Sequence, residues 1–142
     1  MTRFIQVAPG FAVAPQLNEA DFAAAAQAGF KEIINNRPDG EAPSEIQGPA
    51  AEAAAKAAGL AYRAIPITQP TEAAVIATAE AIGAAQGPIL AYCRSGTRSI
   101  TLWALAQARR QAMPPDQILS AVTAAGYDLN HLQPVLEGLY RG

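Results

Sequence analysis

Residues 89–99 read Ile-Leu-Ala-Tyr-Cys-Arg-Ser-Gly-Thr-Arg-Ser, a short apolar run followed at once by a polar loop. The run Ile89–Tyr92 has the length and composition of a strand buried in the middle of a sheet. Gly96 permits a tight turn in the loop, and a helix is predicted from Ser99 to about Gln111. This order of strand, loop and helix places consecutive backbone N–H groups around one point at the start of the helix.

Such a loop is suited to bind a tetrahedral oxyanion, such as phosphate or sulfate. The helix N-terminus adds partial positive charge to the backbone donors. Arg98 can hold two oxygens of the anion with its guanidinium fork, which a lysine would do less well. The same donors stabilise a thiolate, so Cys93 is predicted to be a nucleophile, with Ser99 donating a hydrogen bond to its sulfur.

Strands and helices alternate through the middle of the chain. Two short strands are predicted around Pro9-Gly10, with further strands at 32–35, 61–65 and 89–92 and helices at about 19–28, 46–58, 72–85, 99–111, 114–125 and 129–139. This order predicts an α/β fold with a mostly parallel central sheet flanked by helices, formed as one domain over residues 1–142. Trp103 is predicted to pack into the core.

In folds of this class the functional site lies beyond the carboxyl ends of the strands. Three loops are predicted at that edge, at 36–44, 66–70 and 93–99. The cysteine loop therefore marks the expected active site, and further catalytic groups must come from the other two loops or from the tail.

The composition argues against several classes of protein. Ten basic and twelve acidic residues give a net charge of −2 without a basic run, which argues against nucleic acid as a partner. Neither a signal peptide nor a bilayer-spanning apolar run is present, so we expect a cytoplasmic protein without a membrane partner. A single cysteine and a single histidine argue against a disulfide or a metal site, and no cofactor is expected. Neither a heptad nor an apolar stripe indicates an oligomeric state.

Three segments carry a resemblance to a known family, namely Glu32–Glu41, Gly59–Pro66 and Ala91–Ser99. They resemble the cysteine-based protein tyrosine phosphatase superfamily, in its dual-specificity branch. More closely, the chain resembles small bacterial phosphatase-like proteins related to the phosphatase-like domain of beta-lactamase hydrolase-like proteins. The likeness covers nearly the whole chain and implies a fold of the protein tyrosine phosphatase type.

The resemblance also implies roles for the loop residues. Cys93 would take the phosphoryl group, Arg98 would bind the phosphate and Ser99 would tune the thiolate. The residues expected around the bound phosphate are Arg94, Ser95, Gly96, Thr97 and Arg98.

Two features depart from the phosphatase pattern. Four residues separate Cys93 from Arg98, where phosphatases of this superfamily usually have five. The loop is in this respect closer to that of the rhodanese sulfurtransferases, Cys-Arg-Ser-Gly-x-Arg, although their Asp-x-Arg and Gly-His-Ile segments are missing. No aspartate follows Ile65-Pro66, where phosphatases keep a general acid, and Tyr92 replaces the usual histidine.

A general acid would therefore have to come from another loop. Asp39 and Glu41 are the first candidates, followed by Asp128 and then Glu72. Arg37 is expected either to extend the positive field around the substrate or to pair with one of the nearby acids.

Together these features predict a phosphatase that hydrolyses phosphate monoesters, on a small molecule or a phosphoprotein, through a cysteinyl-phosphate intermediate. Two alternatives stay open. One is a sulfurtransferase that carries a persulfide on Cys93, and the other is a module that binds an oxyanion without catalysis.

Overall fold

A computed structural model describes residues 2–142 and contains a five-stranded sheet. The strands are β1 (Ile5–Ala8), β2 (Phe11–Ala14), β3 (Glu32–Asn35), β4 (Ala61–Ala64) and β5 (Ile89–Tyr92). They lie in the order β1-β2-β5-β3-β4, in which β1 and β2 are antiparallel and the other neighbours are parallel. The prediction of a mostly parallel sheet is confirmed.

Helices follow the strands and flank the sheet. They are α1 (Glu19–Gln27), α2 (Gly48–Ala57), α3 (Glu72–Ala84), α4 (Thr97–Arg109), α5 (Pro115–Ala124) and α6 (Gln133–Arg141), with a 3-10 turn at Asn130–Leu132. The longest, α3 and α4, have 13 residues each. Among the described residues, no helix is long and apolar enough to cross a bilayer.

Both faces of the sheet are covered, because successive side chains of a strand point to opposite sides. In β5, Ile89 and Ala91 pack into one core with residues of α3 to α6, whereas Leu90 and Tyr92 pack into a second core with residues of α1 and α2. Trp103 is fully buried in the first core, as predicted.

Three helices start two or more residues from their predicted positions. Helix α2 begins at Gly48 rather than at about residue 46, with a proline in its first turn. Helix α4 begins at Thr97, two residues before the predicted Ser99, because Gly96 (φ 92°) turns the chain directly into the helix. The last helix is divided into the 3-10 turn and α6. Pro134 lies in the first turn of α6, and its ring would clash with the carbonyl four residues earlier if the helix continued backwards.

The carboxyl ends of β3, β4 and β5 are joined by backbone hydrogen bonds. The Asn36 N–H donates to the Tyr92 carbonyl (2.9 Å), and the Asn36 carbonyl accepts the Ile67 N–H (3.1 Å). The three loops that follow these strands are therefore neighbours, and together they form the candidate site.

Candidate active site

Cys93 lies at the base of the loop that joins β5 to α4. Its N–H donates to the Ala14 carbonyl at the end of β2 (3.3 Å), and its side chain is fully buried. The Gly96 N–H donates to Cys93 Sγ over 3.1 Å. Gly96 has a φ of 92°, and a side chain there would collide with the Tyr127 hydroxyl. Glycine is thus required by backbone conformation and by space, and its turn directs an N–H at the sulfur.

Arg98 is held along one edge of its guanidinium group. Nη1 donates to Glu41 Oε2 and to the Ile67 carbonyl (both 2.9 Å), and Nη2 donates to Glu41 Oε1 (2.7 Å). The hydrogen bonds to Glu41 raise the pKa of Arg98, and the nearby Cys93 adds to the effect. Nε–H and the second Nη2–H have no hydrogen-bonded oxygen or nitrogen among residues 2–142. This pair of donors forms the edge that can hold two oxygens of an anion.

Glu41 lies between two arginines. It accepts a hydrogen bond from Arg37 Nε (2.7 Å) in addition to those from Arg98. Arg37 Nη1 in turn donates to Gln16 Oε1 (2.9 Å) and to Glu45 Oε2 (2.7 Å). Hydrogen bonds from Arg98 and then from Arg37 lower the pKa of Glu41 to about 2. A carboxylate held this way is ionised at neutral pH, so Glu41 serves to position Arg98 rather than to donate a proton.

Asn36 and Ser99 join two of the loops inside the protein. Ser99 Oγ donates to Asn36 Oδ1 (2.8 Å), and Asn36 Nδ2 donates to the Ile65 carbonyl (2.9 Å). The prediction that Ser99 donates to the thiolate of Cys93 is therefore corrected. A buried amide oxygen needs a donor, and the Ser99 hydroxyl is the group that reaches it.

Asp39, predicted as the catalytic acid, lies at the start of α2. Its Oδ1 accepts the Gly48 N–H (2.7 Å). Asp39 also lines a small cavity with Gln47 and Tyr92, on the side of the loop that faces α2. The structure thus gives Asp39 a contact at the start of α2 in place of the predicted role as catalytic acid.

The other loop residues form the rim of the cradle. Arg94, Ser95 and Thr97 are exposed. The Arg94 carbonyl accepts the Gln16 N–H (3.3 Å), which ties the loop to the segment after β2. Ser95 Oγ and Thr97 Oγ1 share a hydrogen bond of 3.0 Å at the mouth of the loop.

The remaining predicted acids lie in different places. Asp128 lines a groove next to Arg98, together with His131. Glu72 lines a separate depression with Arg109, at the far end of α4. Of the four predicted carboxylates, Asp128 is the one that lies beside Arg98 without forming an ion pair to it.

Two residues that are structurally important for the site, Asn36 and Tyr127, were not identified from the sequence. Asn36 could have been singled out, because it directly follows a buried strand at the functional edge. Tyr127 donates its hydroxyl proton to the Ser95 carbonyl (2.9 Å), 32 residues earlier in the chain. No local pattern around Tyr127 indicates this contact, because it depends on how α5 packs against α4.

The site thus combines a buried thiol, an N–H directed at its sulfur and a guanidinium group fixed by a carboxylate. These are the parts needed to hold a thiolate next to a bound oxyanion. 

The sequence has relatives that support this interpretation. A family model for the phosphatase-like domain of beta-lactamase hydrolase-like proteins matches residues 3–110. A beta-lactamase hydrolase-like protein of Xylella fastidiosa (strain 9a5c) is 37% identical over 137 residues, which is 95% of this chain and 32% of the relative. The chain therefore spans about a third of the length of the curated relatives that it matches.

Solved structures share the fold. A candidate phosphatase of Neisseria meningitidis z2491 (nma1982) has a TM-score of 0.81 and 33% identity, with 95% of this chain and 96% of that chain covered. Tk-PTP in its active form has a TM-score of 0.73 and 16% identity, with 97% and 96% covered. The fold is therefore of the protein tyrosine phosphatase type, as the sequence predicted.

Proposed function

Because this chain belongs to the family of the phosphatase-like domain of beta-lactamase hydrolase-like proteins, we propose that it is a cysteine-dependent phosphatase. Its substrates are phosphate monoesters. The reaction passes through a phosphoryl group bound to Cys93.

One observation carries the proposal. Cys93 Sγ accepts the Gly96 N–H at the base of the loop, while Glu41 fixes one edge of Arg98 and the other edge has no hydrogen bond to an oxygen or nitrogen among residues 2–142. A core cysteine would need neither the N–H donor nor the fixed arginine. The arrangement supports the proposal, because an anion bound here would lie between a nucleophile and an arginine edge with two N–H donors.

In the first step the Cys93 thiolate attacks phosphorus. The S–P bond forms as the P–O bond to the leaving group breaks, and the electron pair of that bond goes to the leaving oxygen. Arg98 and the loop N–H groups stabilise the charge on the three remaining phosphoryl oxygens. Their positions are set before the substrate arrives, so little reorganisation is needed in the transition state.

In the second step a water molecule attacks the phosphorus of the cysteinyl phosphate. The P–O bond forms, the S–P bond breaks and the thiolate is restored, while inorganic phosphate leaves with the oxygen of the water. Ser99 Oγ donates its hydrogen bond to Asn36, so it holds the loop in place and does not donate to the departing thiolate.

The expected substrates follow from the positions of the acids. The Asp39 carboxylate accepts the Gly48 N–H at the start of α2, and Glu41 is ionised between two arginines. Because this loop places no proton donor at the leaving oxygen, aryl phosphates, which leave as weakly basic phenolates, are better substrates than alkyl phosphates.

A sulfurtransferase is the second candidate, favoured by the four-residue spacing between Cys93 and Arg98. The Cys93 thiolate would attack the outer sulfur of thiosulfate, forming an S–S bond as sulfite leaves with the electron pair of the old S–S bond. Cyanide would then take the outer sulfur as thiocyanate and restore the thiolate. Sulfite is a weak base, so this route needs no general acid.

The two candidates are separated by assaying both reactions with the same preparations. Wild type is compared with Cys93→Ser and Arg98→Ala, and with Arg110→Ala as a control at an exposed arginine at the far end of α4. We expect aryl phosphate hydrolysis in wild type, a loss of at least about 10³-fold in Cys93→Ser and little change in Arg110→Ala.

Hydrolysis that survives Cys93→Ser overturns the proposed mechanism. Thiocyanate formation without release of phosphate from any aryl ester establishes the sulfurtransferase instead. If both activities are absent and calorimetry shows phosphate binding that is lost in Arg98→Ala, the domain is an oxyanion-binding module.

A further inference from the structure

Tyr127 fixes the segment between α5 and α6 against the cysteine loop. Its hydroxyl donates to the Ser95 carbonyl (2.9 Å) and lies where a side chain on Gly96 would be. Burial raises the pKa of Tyr127, and the nearby charge of Cys93 raises it further. The residues that follow Tyr127 are consequently held at the rim of the cradle.

A groove of about 350 Å³ lies between this segment, the start of α4 and the loop after β4. Thr97 and Arg98 line it, so the groove adjoins the anion cradle, to which these two residues also belong. Its volume is at the lower end of the range for small-molecule sites, enough for a compact organic group. Pro70, Leu129 and Leu132 form its apolar part.

The groove has one carboxylate, Asp128. Asp128 Oδ1 accepts hydrogen bonds from the Asn130 N–H and from Asn130 Nδ2, both 3.0 Å, which hold the side chain in place. Among residues 2–142, Oδ2 has no hydrogen-bond donor. The other ionisable groups of the groove are His131 and Arg98, and Arg98 is already paired with Glu41 along one edge. Asp128 is therefore the acidic group of the groove that has an oxygen available to a ligand.

We propose that this groove holds the organic part of the substrate and that Asp128 is a specificity-determining residue. The preferred substrates are phosphate monoesters with a compact organic group that carries a protonated amine. The amine lies against Asp128 Oδ2, and the ring or carbon chain lies on the apolar part. This inference rests on the proposed phosphatase function, since the phosphate must occupy the cradle.

The preference for a positively charged organic group is tested with three phenyl phosphates that differ at one ring position. They carry an aminomethyl, a hydroxymethyl or a carboxymethyl group, and in each the methylene keeps the leaving phenolates of similar basicity. We expect kcat/KM in wild type to fall in that order, by roughly 3- to 10-fold between the first and the last. The differences arise in KM, because Asp128 contacts the bound substrate away from the breaking bond.

Asp128→Asn removes the charge of the side chain and keeps its shape. In this variant the kcat/KM values of the three esters should lie within about twofold of one another. Asp116→Asn is the matched control. It changes the net charge of the protein by the same amount, but Asp116 lies on α5 and outside the groove. In wild type, raising the salt concentration from 50 to 500 mM should reduce the range as well. This measurement does not depend on the folding of a variant.

The outcomes separate this inference from the function on which it rests. Equal kcat/KM for the three esters in wild type, or a range that Asp128→Asn leaves intact, overturns the role of Asp128 while the phosphatase function stands. A complete lack of hydrolysis of all three by wild type overturns the phosphatase function and this subsite together.

Discussion

Ser99 Oγ donates a hydrogen bond of 2.8 Å to Asn36 Oδ1, and both residues are 1% exposed. They are 63 residues apart in the chain. The bond joins the first turn of α4 to the end of β3, so it holds the cysteine loop in place relative to its neighbour. A contact of this kind supports the site without touching a substrate.

Replacing either residue should destabilise the fold. Asn36→Ala and Ser99→Ala should each lower the free energy of unfolding by about 1–3 kcal/mol, because a buried polar group loses its partner. The double variant should lose less than the sum of the two, with a coupling of about 0.5–3 kcal/mol. Urea denaturation measures all three, with the exposed Ser120→Ala as control. Strictly additive effects would contradict a direct bond.

Glu41 should be needed for activity through its effect on Arg98. Glu41→Gln replaces one acceptor oxygen by a donor and removes the charge, so Arg98 is less well fixed. We expect kcat/KM for an aryl phosphate to fall about tenfold, equivalent to about 1.4 kcal/mol of transition-state stabilisation. Glu45 pairs with Arg37 and not with Arg98, so kcat/KM of Glu45→Gln should stay within about twofold of wild type. A faster Glu41→Gln enzyme would mean that Glu41 blocks the anion site.

The same carboxylate predicts a pH dependence of stability. The pKa of Glu41 is lowered from 4.5 to about 2. Its stabilising contribution is therefore fully present above pH 4.5 and is lost as the pH falls toward 2. The difference in unfolding free energy between wild type and Glu41→Gln should be constant from about pH 5 to 8, at no more than about 1 kcal/mol, because the pair is partly exposed. A difference that changes with pH across that neutral range would argue against the Arg98 pairing.

Gly96 and Tyr127 should show partial compensation. Gly96→Ala introduces a strained left-handed conformation, which costs about 1–2 kcal/mol, and forces the Tyr127 hydroxyl away. Tyr127→Phe removes that hydroxyl, so the double variant should be more stable than the sum of the two single changes predicts. Thermal unfolding of the four proteins measures the effect. If the two changes are simply additive, the hydroxyl does not limit the space at Gly96.

Tyr92 and Tyr62 should respond differently to the same substitution. Within the described residues, Tyr92 has the one buried side-chain oxygen without a partner, and burial raises its pKa. Tyr92→Phe should therefore leave the unfolding free energy unchanged or increase it. Tyr62 accepts a hydrogen bond from Asn35 Nδ2 (3.0 Å), so Tyr62→Phe should cost about 0.5–1.5 kcal/mol. A loss for Tyr92→Phe as large as that for Tyr62→Phe would indicate a buried water as its partner.

Much of the fold and the cysteine loop could be predicted because the signals are local. An apolar strand, Cys93, Gly96 and the start of α4 follow one another directly, and backbone geometry alone then arranges the N–H groups. The alternation of strands and helices likewise predicted the parallel pairing, since parallel strands need a crossover between them. Even the edge at which the loops meet follows from that topology.

The directions of the loop side chains were decided by the tertiary structure. Asp39 and Glu41 are two residues apart in a loop without periodicity, yet one binds the start of α2 and the other binds Arg98, 57 residues later. Sequence alone ranked Asp39 and Glu41 together as the first candidates for a general acid, since an irregular backbone has no repeat that assigns a side chain to a face. The local order of residues therefore determined the cysteine loop and the helix start behind it, whereas packing between distant elements determined which groups surround them.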